Sequence, residues 1–141
     1  MRILAFEFSS PQRSVAVVQE VNSQGPLMVR EVIETGAHSN KPFEMIEEAL
    51  RQSGIEREQI DRLAVGLGPG SYMGIRAAIA LAQGWQLGAG TPAQGLSSAQ
   101  AVAAQAQSEG LTGRIAVLID AQRGEFYLAI YELNSGGWRE A

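Results

Sequence analysis

The sequence predicts a mixed α/β protein on three observations. It opens with apolar runs at strand length separated by turn residues, it becomes helically periodic near residue 41, and a fully apolar run at 63–67 leads through a glycine loop into a second helix. A closing hairpin restates the opening one. With 141 residues the chain is long enough to bury about 68–70% of its unfolded surface as one domain.

Residues 2–8 and 14–19 read as strands joined by the turn Ser9-Ser10-Pro11-Gln12-Arg13. After Asn22-Ser23-Gln24-Gly25-Pro26, residues 27–34 read as a third, more exposed strand with Leu27, Val29 and Ile33 on one face. The three predict an antiparallel meander. Pro42, the spacing of Phe43, Ile46, Ala49 and Leu50, and the stop at Gly54 predict an amphipathic helix over 41–53. Leu63-Ala64-Val65-Gly66-Leu67 has the character of a central strand buried on both faces.

The helix that follows, about 72–88, carries a narrow polar stripe of Arg76, Gln83 and Gln86. The rest of its circumference is apolar or small, so it is expected to pack on two sides, against the helix at 41–53 or against another subunit. Phe43, Ile46, Ala78, Leu81 and Trp85 are the candidate partner-interface residues. Residues 97–109 predict an Ala- and Gln-rich helix capped by Ser97 or Ser98 and stopped by Gly110. Strands at 115–119 and 126–131 close the pattern around the polar loop Asp120–Glu125.

Composition excludes much chemistry. The chain has no Cys, one His (His38), one Lys (Lys41) and two Asp (Asp61 and Asp120). No thiol nucleophile, disulfide or zinc–thiolate site can exist, and no His pair can hold a metal. Lys41 sits beside Pro42 at a helix start, not in a glycine loop where a phosphate-binding lysine belongs. Lys plus Arg total 11 against 15 for Asp plus Glu, a formal net charge of −4, which disfavours direct nucleic-acid binding by this chain alone. Charged residues make up 18%, below the usual quarter or so, which points to surface covered by a partner. Residues 77–108 are uncharged, but six Gln, four Gly and Pro92 argue against a membrane span. The apolar run Ile3–Phe6 is too short for a signal-peptide core, and the protein is expected to be cytoplasmic.

The dense motif is Gly66-Leu67-Gly68-Pro69-Gly70-Ser71-Tyr72-Met73-Gly74-Ile75-Arg76. Its glycines allow a tight turn and close backbone approach, and Ser71 can cap the helix. A helix start of this kind is also a possible anion site, formed by Gly66, Gly68, Pro69, Gly70, Ser71, Gly74 and Arg76. It is neither a P-loop, since no Gly-Lys-Ser/Thr follows, nor a dinucleotide fingerprint, since the sheet opens as a meander.

This run is very similar to the Gly-x-Gly-Pro-Gly-Ser-Phe-Thr-Gly-x-Arg signature of the TsaB (YeaZ) family of tRNA threonylcarbamoyladenosine biosynthesis proteins. Met1–Ala5, Ala82-Gln83-Gly84 with Leu87-Gly88, and Ile119-Asp120-Ala121 with Gly124-Glu125 and Tyr127 resemble that family in the same order, from residue 1 to about 133. The resemblance implies the fold shared by actin, sugar kinases and heat-shock ATPases. A first ribonuclease H-like lobe would occupy residues 1–110, and the opening hairpin of a second, incomplete lobe 111–141. It implies a non-catalytic scaffold with no cofactor and no metal. That scaffold would pair through first-lobe helices with the catalytic TsaD-like subunit, alongside a TsaE-like ATPase, in modifying adenosine 37 of tRNA. A homodimer is expected for the chain alone.

Departures from the family pattern bear on chemistry. Glu7-Phe8-Ser9 stands for Asp-Thr-Ser, Met73 for Thr and Gln122 for Arg. His38 has Pro42 four residues on, so the His-x-x-x-His metal pair of the catalytic relative cannot form. The chain ends within the expected second lobe, as a short paralogue or a fragment would, and a cleft with one wall missing should hold ATP weakly. Glu7 is expected to face the hairpin turn, Asp120 to cap its loop, His38 to lie in a loop, and Arg76 to pair with an acid or a partner. The competing readings are a nucleotide-binding ATPase or kinase relative that uses the 66–76 loop, and the peptidase label attached to this superfamily, for which the residues are missing.

Overall fold

The computed structural model describes residues 1–21, 25–36 and 41–141, with Gln122 described by its backbone alone. His38 therefore lies outside the described residues. The elements in chain order are β1 (Arg2–Glu7), β2 (Gln12–Glu20), β3 (Leu27–Thr35), α1 (Pro42–Ser53), β4 (Arg62–Gly66), α2 (Tyr72–Ala89), β5 (Ala93–Leu96), α3 (Ser98–Ser108), β6 (Gly113–Gln122), β7 (Glu125–Asn134) and β8 (Gly137–Glu140). They form a five-stranded sheet of order β3-β2-β1-β4-β5 and a three-stranded sheet of order β6-β7-β8. In the first, β1 to β3 are antiparallel, while β4 and β5 add in parallel.

One face of the first sheet carries the main core. Leu4, Phe6, Val15, Val17, Leu63 and Val65 alternate inward and meet Met45, Ile46, Ala49 and Leu50 of α1 and Ala78 and Ala82 of α2. Burying each of the larger side chains stabilises by about 1.5–3 kcal/mol. β3 is exposed on its Leu27, Val29 and Ile33 face and packs through Val32. Gly54 ends α1 with φ 65°, its N–H donating to the Arg51 carbonyl while the Ile55 N–H reaches that of Leu50. Leu50 and Ile55 are both buried, which completes a Schellman stop with its apolar contact.

The Arg51 guanidinium, then the Gln52 amide, hydrogen-bond the Glu48 carboxylate on the surface of α1 and hold it down at about 2. A carboxylate held low contributes stability above its ordinary value of 4.5, and that contribution fades as pH falls toward 2. Arg51 is exposed and Glu48 partly so, and the effect is small and screened by salt. The melting difference between wild type and Glu48→Gln should be small near neutral pH and should vanish in acid and in high salt. A difference that survives both contradicts this origin.

α3 packs on the second sheet, where Ala99 and Ala103 bury against Val117, Ala129, Tyr131 and Leu133. Ser97 caps it, accepting from the Ala99 N–H at 3.2 Å, and Gln100 completes a capping box. The polar loop expected at 120–125 is shorter, because the strands run on to a turn at Arg123 and Gly124, both at positive φ. Two strands, β5 and β8, have no counterpart in the sequence reading. No helix among the described residues is long and apolar enough to cross a membrane.

Candidate functional site

Two regions hold the candidate residues. The first is the glycine loop, which ends β4 and starts α2. Its glycines are demanded by close packing against the β1–β2 turn. A Cβ on Gly70 would lie 2.1 Å from the Ser9 carbonyl oxygen, and one on Gly74 would lie 1.8 Å from that of Phe8. Gly68 has φ +73°, a conformation that favours glycine. Three of the loop's backbone groups are engaged within the protein. The Ser71 N–H donates to the Ser9 carbonyl at 2.6 Å, the Leu67 N–H to Leu96 at 2.8 Å, and the Gly68 carbonyl accepts the Ser98 N–H at 2.8 Å. Ser71 Oγ accepts the Gly74 N–H at 3.2 Å, so the cap read from sequence forms.

Glu7 lies beneath this loop. Its carboxylate accepts the Ser9 N–H at 2.7 Å and the Ser98 hydroxyl at 3.0 Å, with Ser9 Oγ 3.1 Å from Ser98 Oγ. The carboxylate fills the space where a Cβ of Gly66 would stand, 2.2 Å from Oε2. Glu7 thus faces the turn as expected, and it also ties the entrance of α3 to the first sheet. A phosphate about 4 Å from that carboxylate would meet repulsion of roughly 4 kcal/mol per pair of unit charges at an effective dielectric near 20. The adjoining cleft of about 400 Å³ is lined by Ser9, Ser10, Pro11, Pro69, Gly70, Ser71, Ser98, Ile119 and Asp120, with no Lys or Arg among them. Arg76 is not part of it, since its guanidinium lies 5.4 Å over the Tyr72 ring. These bonds close part of the loop on the protein's own groups, and the adjoining cleft offers a phosphate no basic side chain.

Removing the carboxylate leaves the Ser9 and Ser98 donors without it. Charge-assisted hydrogen bonds are worth about 1.5–3 kcal/mol each, and relaxation recovers part of that. Glu7→Ala should therefore lower the unfolding free energy in urea by about 2–4 kcal/mol, and Ser98→Ala by roughly half as much. A Glu7→Ala curve that overlays wild type would contradict the bridge.

The second region is the side of α2 away from the first sheet. Ala78 of α2 is fully buried and Ile46 of α1 is buried, so both belong to the core of the chain. The apolar row of α2 that contains Ala78 and Ala82 meets the sheet. Leu81 and Trp85 are half-buried at the rim and Phe43 is 66% exposed. These three line a groove of about 270 Å³ between α1 and α2, together with Ile46, Arg57, Ala80 and Gly84. Trp85 Nε1 is buried there without a hydrogen-bond partner. Arg57 is held by Glu47 at 2.9 Å. Beside the groove, Met73, Ala80, Gly84 and Leu87 form an open row, with Leu87 89% exposed and free space at the Cβ position of Gly84. Sequence reasoning missed this row. Its signal was present, because these residues share one arc of the wheel next to the polar stripe. The sequence offers Ser98 only as an alternative cap to Ser97; its bond to Glu7 is not legible there.

A five-stranded sheet of this order, with a glycine loop between β4 and α2 that faces a second meander, is the lobe of an actin-like, ribonuclease H-like protein. A family model described as TsaD, tRNA N6-adenosine threonylcarbamoyltransferase, matches residues 32–141. The tRNA threonylcarbamoyladenosine biosynthesis protein TsaB of Escherichia coli is 36% identical over 139 residues, 97% of this chain and 58% of that protein. The TsaB of Bacillus subtilis is 26% identical over 138 residues, 96% of this chain and 57% of that one. The structure of YeaZ from Pseudomonas aeruginosa superposes with a TM-score of 0.85 at 29% identity, covering 99% of this chain and 63% of that one. The chain belongs to the TsaB (YeaZ) family, and it spans less than two thirds of the length of these relatives.

Proposed function

We propose that this chain is a non-catalytic subunit of the tRNA N6-threonylcarbamoyladenosine machinery, pairing with a TsaD-type catalytic relative. Pairing runs through the open row of α2 and the groove beside α1. The observation that carries this reading is that row, Met73, Ala80, Gly84 and Leu87, left uncovered on a helix whose other apolar row is core. Small residues at Ala80 and Gly84 let a second helix approach to about 8–10 Å, with Leu87, Leu81 and Trp85 as anchors. Phe43 borders the same face from α1, while Ile46 and Ala78 support it from within.

The name of the relatives supports the pathway, and the residue types support the non-catalytic role. The chain has no Cys thiol to serve as a nucleophile and no second His to complete a metal pair, and Glu7 occupies the space below the glycine loop. In this reading residues 1–110 form one lobe and 111–141 begin another, with α3 fastened to the first through Ser98 and to the second through Ala99 and Ala103. The assembly is cytoplasmic and takes in a TsaE-like ATPase, and the free chain pairs with its own copy over the same row. Capture of a TsaD-type protein by the tagged chain tests the reading, and failure to retain it refutes the pairing. Calorimetry with ATP and magnesium tests the nucleotide-binding alternative: binding tighter than about 100 μM, roughly −5.5 kcal/mol, would favour that alternative.

A further inference from the structure

The groove between α1 and α2 is one-sided in its hydrogen-bonding chemistry. Of the seven residues that line it, five are apolar or glycine, and the other two, Arg57 and Trp85, carry side-chain donors and no acceptor. Trp85 Nε1 is the one buried side-chain nitrogen or oxygen without a hydrogen-bond partner among the described residues. A buried donor left unpaired is costly, and native proteins keep few of them.

Arg57 opens the short turn Arg57–Gln59 after α1, between the buried Ile55 and Ile60. The Ile60 N–H donates to the Arg57 carbonyl at 3.3 Å, and the Arg57 guanidinium pairs with Glu47 at 2.9 Å. Both of those side chains are more than half exposed, and an exposed pair contributes little, so a better-placed carboxylate can take the place of Glu47. Arg57 and Trp85 also line a second cavity, of about 240 Å³, with Glu58, Gly88 and Ala89. Trp85 thus borders open space on two sides, and neither Gly84 nor Gly88 brings a side chain beside it, so the indole has room to turn. Glu58 disfavours an anion in the second cavity, whereas no acidic residue lines the groove.

We propose that the groove seats a carboxylate of the TsaD-type partner, an aspartate or glutamate that accepts from Trp85 Nε1 and replaces Glu47 on the Arg57 guanidinium. The inference rests on the pairing proposed above and adds to it the chemistry of the partner's anchor. A carboxylate accepts from two donors at once, and its apolar stem lies between Phe43 and Leu81. Apolar contact alone lets two helices meet in several registers. One acid that must reach both donors fixes a single register and rejects a partner that lacks it.

The test follows the nitrogen–proton resonance of the Trp85 indole, told apart from that of Trp138 with a Trp138→Phe variant. Hexanoate is the probe for the site. The expected result is a downfield shift of the Trp85 signal that saturates with hexanoate, at least about tenfold weaker binding of the uncharged hexanamide, and loss of the response in Arg57→Gln. A saturating TsaD-type partner should move the same signal, and Arg57→Gln should weaken that complex about tenfold at an unchanged melt, because the residue is exposed. No response to hexanoate, or an equal response to hexanamide, overturns the proposal. A complex that forms and leaves the Trp85 signal unmoved overturns this inference alone and leaves the pairing standing. A response to hexanoate with no complex formed refutes the pairing, and with it the partner as the source of the acid.

Discussion

Gly74→Ala is expected to unfold the chain or to leave it with only marginal stability, although alanine is the better helix former. The added Cβ would stand 1.8 Å from the Phe8 carbonyl oxygen and 2.9 Å from its carbon. Both are backbone atoms, so no rotamer change relieves the clash. Either α2 withdraws from the β1–β2 turn or the turn withdraws from α2. Each movement breaks the Ser71 to Ser9 hydrogen bond and disturbs the Glu7 bridge. Overpacking alone costs about 1–3 kcal/mol. With the lost hydrogen bonds the total should exceed roughly 3 kcal/mol, a large share of a typical 5–15 kcal/mol. Gly84→Ala, in the same helix with open space at its Cβ, should shift the other way and stabilise by about 0.5–1 kcal/mol. Opposite signs in urea denaturation are the expected result, and destabilisation absent at Gly74 would mean that the loop is not packed on the turn.

The second large effect falls on association. Gly84→Arg should leave the melt near wild type and weaken pairing with a TsaD-type partner by about a hundredfold or more, roughly 2.7 kcal/mol. The long side chain would hold the partner helix off a row where close approach depends on Ala80 and Gly84, and contact would bury its charge. Ala78→Arg, six residues earlier on the buried row, should simply unfold the chain. Because the two rows differ only in which one meets the sheet, the pair of variants separates partner contact from core. A melt lowered equally by both would place Gly84 in the core.

Most of the framework was legible in the sequence, because periodicity and punctuation are local properties. The meander, α1, the buried strand β4, the glycine loop and α2 follow from apolar spacing, Pro42, Gly54 and the cap at Ser71. The two-sidedness of α2 was legible as well. Which side is core was not: a wheel shows apolar arcs, whereas the order of strands around β4 decides which arc meets the sheet. The wheel therefore offers Ala78 and Ile46 equally to a core and to a partner, and the fold places both in the core, while Leu87 and Gly84 lie on the open side. β5 was hidden because Ala93-Gln94-Gly95-Leu96 lacks β-branched residues. Its glycine packs against a neighbour distant in sequence, the movable end of the Leu67 side chain. Glu7 was legible as a turn-facing acid, but its link to Ser98 spans 91 residues and only folding brings the pair together.

The absence of cysteine makes the central claim directly measurable. A Leu87→Cys variant carries a single thiol at a position 89% exposed. Its rate of maleimide labelling, with and without a saturating TsaD-type partner, reports whether the α2 row is covered. The account predicts that the partner slows labelling at least about tenfold, while a Ser135→Cys control on the β7–β8 turn labels at an unchanged rate. A complex that forms while Leu87→Cys labels as fast as in the free chain would contradict it, and the pairing surface would have to lie elsewhere.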